Sequence, residues 1–128
     1  MSEVRRGVSN KTLGERGEEL AVAFLIVRGY AVLARNYRCK GGEVDIVARE
    51  GKTLVFVEVK TRRTLEYGPP QLAVTSFKQR QVSKAALTWL AERHQESAPA
   101  RFDVIAVLLL AAEQPRVEQI KNAFELAY

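Results

Sequence analysis

A chain of 128 residues and 14.3 kDa, with 47% apolar and 27% charged side chains, has the composition of one globular domain and excludes a disordered or low-complexity protein. One cysteine, Cys39, excludes an internal disulfide. No stretch approaches the roughly 20 apolar residues of a membrane span, and Met1–Arg6 lacks the apolar core of a signal peptide, so a soluble, cytoplasmic protein is expected. Twenty Lys and Arg against 15 Asp and Glu leave a net charge of +5 and a pI near 9.6. The charge is unevenly spread: +4 over residues 1–40, −1 over 41–60, +3 over 61–96 and −1 over 97–128. A short acidic segment between two basic ones suits a site that attracts phosphates and holds a divalent cation.

Residues 1–11 are polar and without periodicity and read as a flexible tail, which leaves 12–128 as the folded domain. Thr12-Leu13-Gly14-Glu15 matches a capping box and Gly29 is a stop signal, which together predict a helix over 13–28. Tyr30–Arg38 reads as a strand, Lys40-Gly41-Gly42 as a break, Glu43–Arg49 as a second strand, Glu50-Gly51-Lys52 as a turn and Thr53–Lys60 as a third strand. The third is apolar on both faces up to Val57, which places it inside a sheet and not at its edge. Tyr67-Gly68-Pro69-Pro70-Gln71 is a loop. A second capping box, Ser76-Phe77-Lys78-Gln79, opens a helix over about 77–95 with a buried stripe of Phe77, Val82, Ala85, Ala86, Trp89 and Leu90. Phe102–Leu110 reads as a buried strand and Val117–Ile120 as a short one, before the closing Asn122-Ala123-Phe124. The order α-β-β-β-α-β-(β) gives an α/β (α+β) fold class, a central mixed sheet flanked by helices.

The second and third strands carry the sharpest feature. Side chains alternate in a strand, so Glu43 and Asp45 share one face of the second, and Glu58 and Lys60 one face of the third. A two-residue loop, Glu50-Gly51 or Gly51-Lys52, pairs odd positions with even ones and brings all four groups to one face. A three-residue loop without a bulge separates them. Charges projecting from adjacent inner strands are costly to bury without compensation. A divalent cation compensates the carboxylates; a structural salt bridge from Lys60 to Glu58 or Asp45 is the other reading. On the first helix, at about 100° per residue, Glu15 and Glu19 fall on the polar side and Glu18 within the apolar arc. Glu18 then points at a metal, at Lys60 or at an arginine, or lies at the rim and reaches water.

Gly14-Glu15-Arg16-Gly17-Glu18-Glu19-Leu20-Ala21, Gly29-Tyr30, Asn36-Tyr37-Arg38, Gly42-Glu43-Val44-Asp45-Ile46-Val47, Phe56-Val57-Glu58-Val59-Lys60-Thr61-Arg62, Arg101-Phe102-Asp103-Val104 and Asn122-Ala123-Phe124 stand in an order that resembles the YraN-type family of small bacterial proteins. The resemblance spans about residues 12–126. That family is in turn similar to the restriction-endonuclease-like PD-(D/E)xK nucleases, above all archaeal Holliday-junction resolvases. Val44 replaces the proline of the nuclease signature, which supplies no ligand. The resemblance implies a single-domain restriction-endonuclease-like fold in which Asp45, Glu58 and the backbone carbonyl of Val59 hold Mg²⁺ or Mn²⁺. It makes Lys60 the catalytic lysine, Glu18 a helix carboxylate added to the metal site, and Glu43 a group at the rim.

The activity so implied is metal-dependent hydrolysis of phosphodiester bonds in DNA, branched or single-stranded, with a homodimer as one assembly. Arg62, Arg63, Lys78, Arg80 and Lys84 are candidate phosphate contacts, which position nucleic acid without reading its sequence; a solvated helix face is the other reading of the last three. Tyr67 and Gln71 either touch substrate or are ordinary turn residues. His94 has no zinc-ligand partners and reads as a surface residue, Cys39 as a free thiol, and Asp103 as a structural hydrogen bond or ion pair. Two further readings of the chain are a nucleic-acid-binding module of a recombination or repair complex that does not cleave, and a protein-interaction domain whose acidic face is an ion-pair network.

Overall fold

The computed structural model describes residues 11–65, 68–69 and 73–127. The expected tail, apart from Lys11, and the loop residues Tyr67 and Gln71 lie outside them. Helix α1 spans Leu13–Val27, followed by strands β1 (Ala31–Cys39), β2 (Gly42–Glu50) and β3 (Thr53–Arg62), helix α2 (Ser76–Glu92) and strands β4 (Ala100–Leu108) and β5 (Arg116–Phe124). Among the described residues no helix is long and apolar enough to cross a membrane.

The strands lie in the order β1-β2-β3-β4-β5, antiparallel except for the parallel pair β3 and β4. Parallel neighbours need a crossover connection, and α2 supplies it. The central place of β3 follows from its apolar run. Val55 and Val57 face α1, packing with Ala21, Leu25, Ile46, Ala48, Ile105 and Val107. Leu54 and Phe56 face α2, packing with Val44, Val47, Val82, Ala85, Ala86 and Trp89.

The Thr12–Glu15 capping box forms as expected, the Glu15 N–H donating to Thr12 Oγ1 and the Thr12 N–H to Glu15 Oε1. The second box does not. Thr75 caps α2, its hydroxyl accepting the Lys78 N–H at 3.1 Å, while the Gln79 amide donates to the Val74 carbonyl. The helix therefore starts one residue early, and Phe77, expected in the buried stripe, stands 62% exposed. It also stops sooner than expected, because exposed His94 takes a left-handed conformation (φ 55°), and the N–H groups of His94 and Gln95 close back on Ala91 and Leu90.

The last strand is longer than expected because Asp103 holds it through an irregularity in the β4–β5 register. Fully buried Asp103 accepts from Arg101, from Gln119 and from the Asn122 N–H, and Asn122 is left-handed (φ 54°). Beyond this turn Phe124 stacks on Phe102 with ring centroids 5.1 Å apart. Arg101 also donates to Glu50 and Tyr30, so Asp103 is structural, as expected.

Two glycines seat the helices. A Cβ on Gly17 would lie 1.8 Å from Thr61 Oγ1, and one on Gly42 would lie 2.8 Å from the Ala85 nitrogen and 2.9 Å from the Gln81 carbonyl. Only glycine permits α1 to lie on β3, and α2 on the start of β2, at these separations. Alanine inside a helix ordinarily gains about 0.5–1 kcal/mol over glycine. Gly17→Ala is expected instead to lower stability by about 1–3 kcal/mol, as overpacking does, and Thr61→Ala to restore part of it. Urea denaturation checks this, and a Gly17→Ala protein as stable as wild type would mean that α1 is not seated on Thr61.

Candidate active site

The turn between β2 and β3 is the two-residue Gly51-Lys52, since Glu50 pairs with Thr53 and Ile46 with Val57. The odd-to-even register that brings the four charged residues of this hairpin together is therefore present. The paired ladder ends at Ile46 and Val57. Beyond it the Asp45 carboxylate takes the place of a backbone acceptor, its Oδ2 receiving the Val59 N–H at 2.8 Å. This fixes Asp45 beside Glu58, the residue preceding Val59.

Glu58 is 3% exposed, and its Oε1 has no hydrogen-bond partner among the described residues. Its Oε2 lies 3.9 Å from Lys78 Nζ, which is also 3.6 Å from Glu43. Burial, then the neighbouring Asp45 charge, pushes the Glu58 carboxyl up to about 8; Lys78 and Lys60 offset this only in part. Lys60, half-buried two residues on, has no ion-pair partner among the described residues. It opens onto a groove of about 390 Å³ lined by Arg62, Leu65, Ala106, Leu108 and Arg116.

Glu18 comes to this cluster from α1, one residue after the glycine that seats the helix. Its Oε1 accepts from Asn36 Nδ2 at 2.9 Å and lies 3.7 Å from Arg35. An arginine, one of the partners expected for it, is thus beside it. Burial, followed by the Asp45 charge, raises its carboxyl above the usual range. Asn36 sits in the middle of β1 at φ 51°, which turns its amide toward α1.

The structure thus brings Glu18, Glu43, Asp45, Glu58 and Lys60 together and adds three residues to their surroundings: Lys78, Asn36 and Arg35. Lys78, expected on a phosphate-binding surface, stands among the carboxylates because the Thr75 cap puts it in the first turn of α2. Arg62 donates to the Gly68 carbonyl, Arg63 is exposed at the end of β3, and Arg80 and Lys84 line a separate groove on α2. Cys39 is a free thiol, as expected. Among the described residues no three acidic, histidine or cysteine side chains form a metal cage by themselves.

Fold and site together define a small α+β protein in which an Asp and a Glu-x-Lys on adjacent strands meet a glutamate from a helix. The chain belongs to the uncharacterised protein family UPF0102, whose family model matches residues 17–107. It is 65% identical to a UPF0102 protein of Geobacter metallireducens, over 93% of this chain and 97% of that one. It is 46% identical to one of Rhodococcus opacus, over 90% and 98%. A solved structure of the Holliday junction resolvase Hjc from Archaeoglobus fulgidus matches 80% of this chain and 72% of its own, with 20% identity and a TM-score of 0.39.

Because folding raises the Glu58 pKa from 4.5 to about 8, the unfolded chain releases this proton first. The contribution of Glu58 to stability is full below about pH 4.5 and is lost as pH rises through 8, with a slope of at most about 1.4 kcal/mol per pH unit. In metal-free buffer Glu58→Gln is expected to flatten that decline, measured as the unfolding free energy at pH 5, 6.5 and 8. The same decline in both proteins would refute the burial of this charge.

Proposed function

We propose that this protein is a metal-dependent nuclease that hydrolyses phosphodiester bonds in DNA in the cytoplasm, with branched or single-stranded DNA as its substrate. The observation that carries the reading is the pair formed by Asp45 and the buried, incompletely bonded Glu58. Two carboxylates this close repel each other, and a bound cation is the compensation that leaves both ionised. The donor set fits Mg²⁺ or Mn²⁺, which take one or two carboxylates and complete their shell with water and phosphate oxygens. Asp45, Glu58 and the Val59 carbonyl would hold the ion. When bound, it polarises a phosphate oxygen and lowers the pKa of a coordinated water.

The remaining residues act on substrate and water. Asp45 is held in place by the Val59 N–H through one oxygen, which leaves the other to bind the ion at little further entropic cost. Lys60 presents an ammonium to the groove, where it orients the attacking water and offsets the charge that develops on the phosphoryl oxygens. Glu18, fixed by Asn36 and Arg35, accepts hydrogen bonds from water entering beside Asp45. Lys78, within 4 Å of both Glu43 and Glu58, bridges the two carboxylates and offsets part of their charge. Arg62 and Arg63, at the end of β3, extend the positive field along the path of a DNA backbone.

Incubation with branched, single-stranded and duplex DNA, with and without Mn²⁺, tests this. Cutting that requires Mn²⁺ and falls at least about 100-fold in Asp45→Asn and in Lys60→Ala is expected. Cutting that survives both substitutions removes the site assignment. Binding without cutting on every substrate and metal would make the protein a binding module and not a hydrolase.

A further inference from the structure

Phe77 poses a problem that the catalytic cluster does not solve. A phenylalanine 62% exposed on a regular helix is an apolar surface the fold does not use. It lines a groove of about 470 Å³ along α2, together with Arg80, Lys84, Leu87, Gly41 and Ala127. Leu87 is also exposed, at 43%. The Lys84 stem lies over the β1–β2 turn, where a Cβ on Gly41 would come within 3.5 Å of Lys84 Nζ. Among the described residues no carboxylate lines this groove, and neither Arg80 nor Lys84 has an ion-pair partner. An aromatic ring beside two unpaired cations is complementary to a base and the phosphates that flank it.

We infer that this groove binds a single-stranded segment of nucleic acid, an unpaired base stacking on Phe77 while Arg80 and Lys84 hold adjacent phosphates. The inference rests on the nuclease reading and extends it, since it names the feature that selects the substrate. Position supports it. Phe77 is followed in the first turn of α2 by Lys78, whose ammonium lies 3.9 Å from Glu58, so the groove and the carboxylate pair are served by the same end of one helix. A base inside a duplex cannot offer its face to Phe77, whereas a base at a junction, gap or overhang can. A second copy of this chain would have to bury the two cations against carboxylates of its own, and the groove supplies none. The ring therefore separates unpaired from paired DNA without reading sequence.

Fluorescence anisotropy in EDTA, where no hydrolysis occurs, tests the groove apart from the chemistry. The probes are a labelled oligothymidylate and a fully paired duplex of equal length. Phe77→Ala is expected to weaken binding of the single strand about tenfold, as loss of one stacked base does, and to change duplex binding less than twofold. Phe77→Trp should retain the preference, and Arg80→Ala/Lys84→Ala should weaken the single strand and lower its salt dependence. Phe77 is exposed, so an unchanged melting temperature separates these losses from misfolding. Equal binding of both probes by wild type and Phe77→Ala overturns the stacking assignment, and if Mn²⁺-dependent cutting persists the nuclease reading stands without it. Wild type that binds neither probe overturns the inference, as does a Phe77→Ala effect confined to the monomer–dimer equilibrium in sedimentation.

Discussion

The Val59 N–H has no backbone acceptor across β2, because the β2–β3 ladder ends at Ile46 and Val57, and the carboxylate of Asp45 takes its place. Much of the site depends on that substitution. The bond satisfies a backbone donor that would otherwise be left without a partner, and it turns a flexible carboxylate into a fixed one. It also sets Asp45 beside Glu58, since the residue before the donor carries the second carboxylate. The repulsion between the two is a consequence of how the strands part, and among the described residues it is answered only partly, with Lys78 near one oxygen of Glu58 and no hydrogen-bond partner on the other.

The two helices complete the site from opposite faces of the sheet, and in each case a glycine sets the distance. Gly17 lets α1 lie against Thr61, which places Glu18 over β1 within the field of Asp45. Gly42 lets α2 lie against the start of β2, which brings Lys78 to Glu43 and Glu58. Side chains from both layers therefore converge where β2 and β3 separate. The apolar packing of Val55 and Val57 on one face and Leu54 and Phe56 on the other keeps that point rigid.

Much of this was legible in the residues. The apolar run of β3 required a central strand, and the parity of a two-residue Gly51-Lys52 turn put the hairpin charges together; both follow from the period of two in a strand. The wheel placed Glu18 on the buried side of α1 but could not choose among its partners. Those are on β1, where the left-handed Asn36 depends on tertiary contacts. Phe77 falls outside the stripe because, at about 100° per residue, it lies about 140° round the helix from Val82, whichever of Thr75 and Ser76 caps the first turn. The length of β5 was hidden because its irregular register is held by Asp103, 19 residues before Asn122 in the chain.

An ion between Asp45 and Glu58 is the central claim, and it can be located directly. Crystals grown with Mn²⁺ and measured at the manganese absorption edge should show an anomalous difference peak bounded by the Asp45 and Glu58 carboxylates, and crystals of Asp45→Asn should lack it. A wild-type map with no peak there, or with manganese only at other carboxylates, would contradict the account and leave the pair to share a proton.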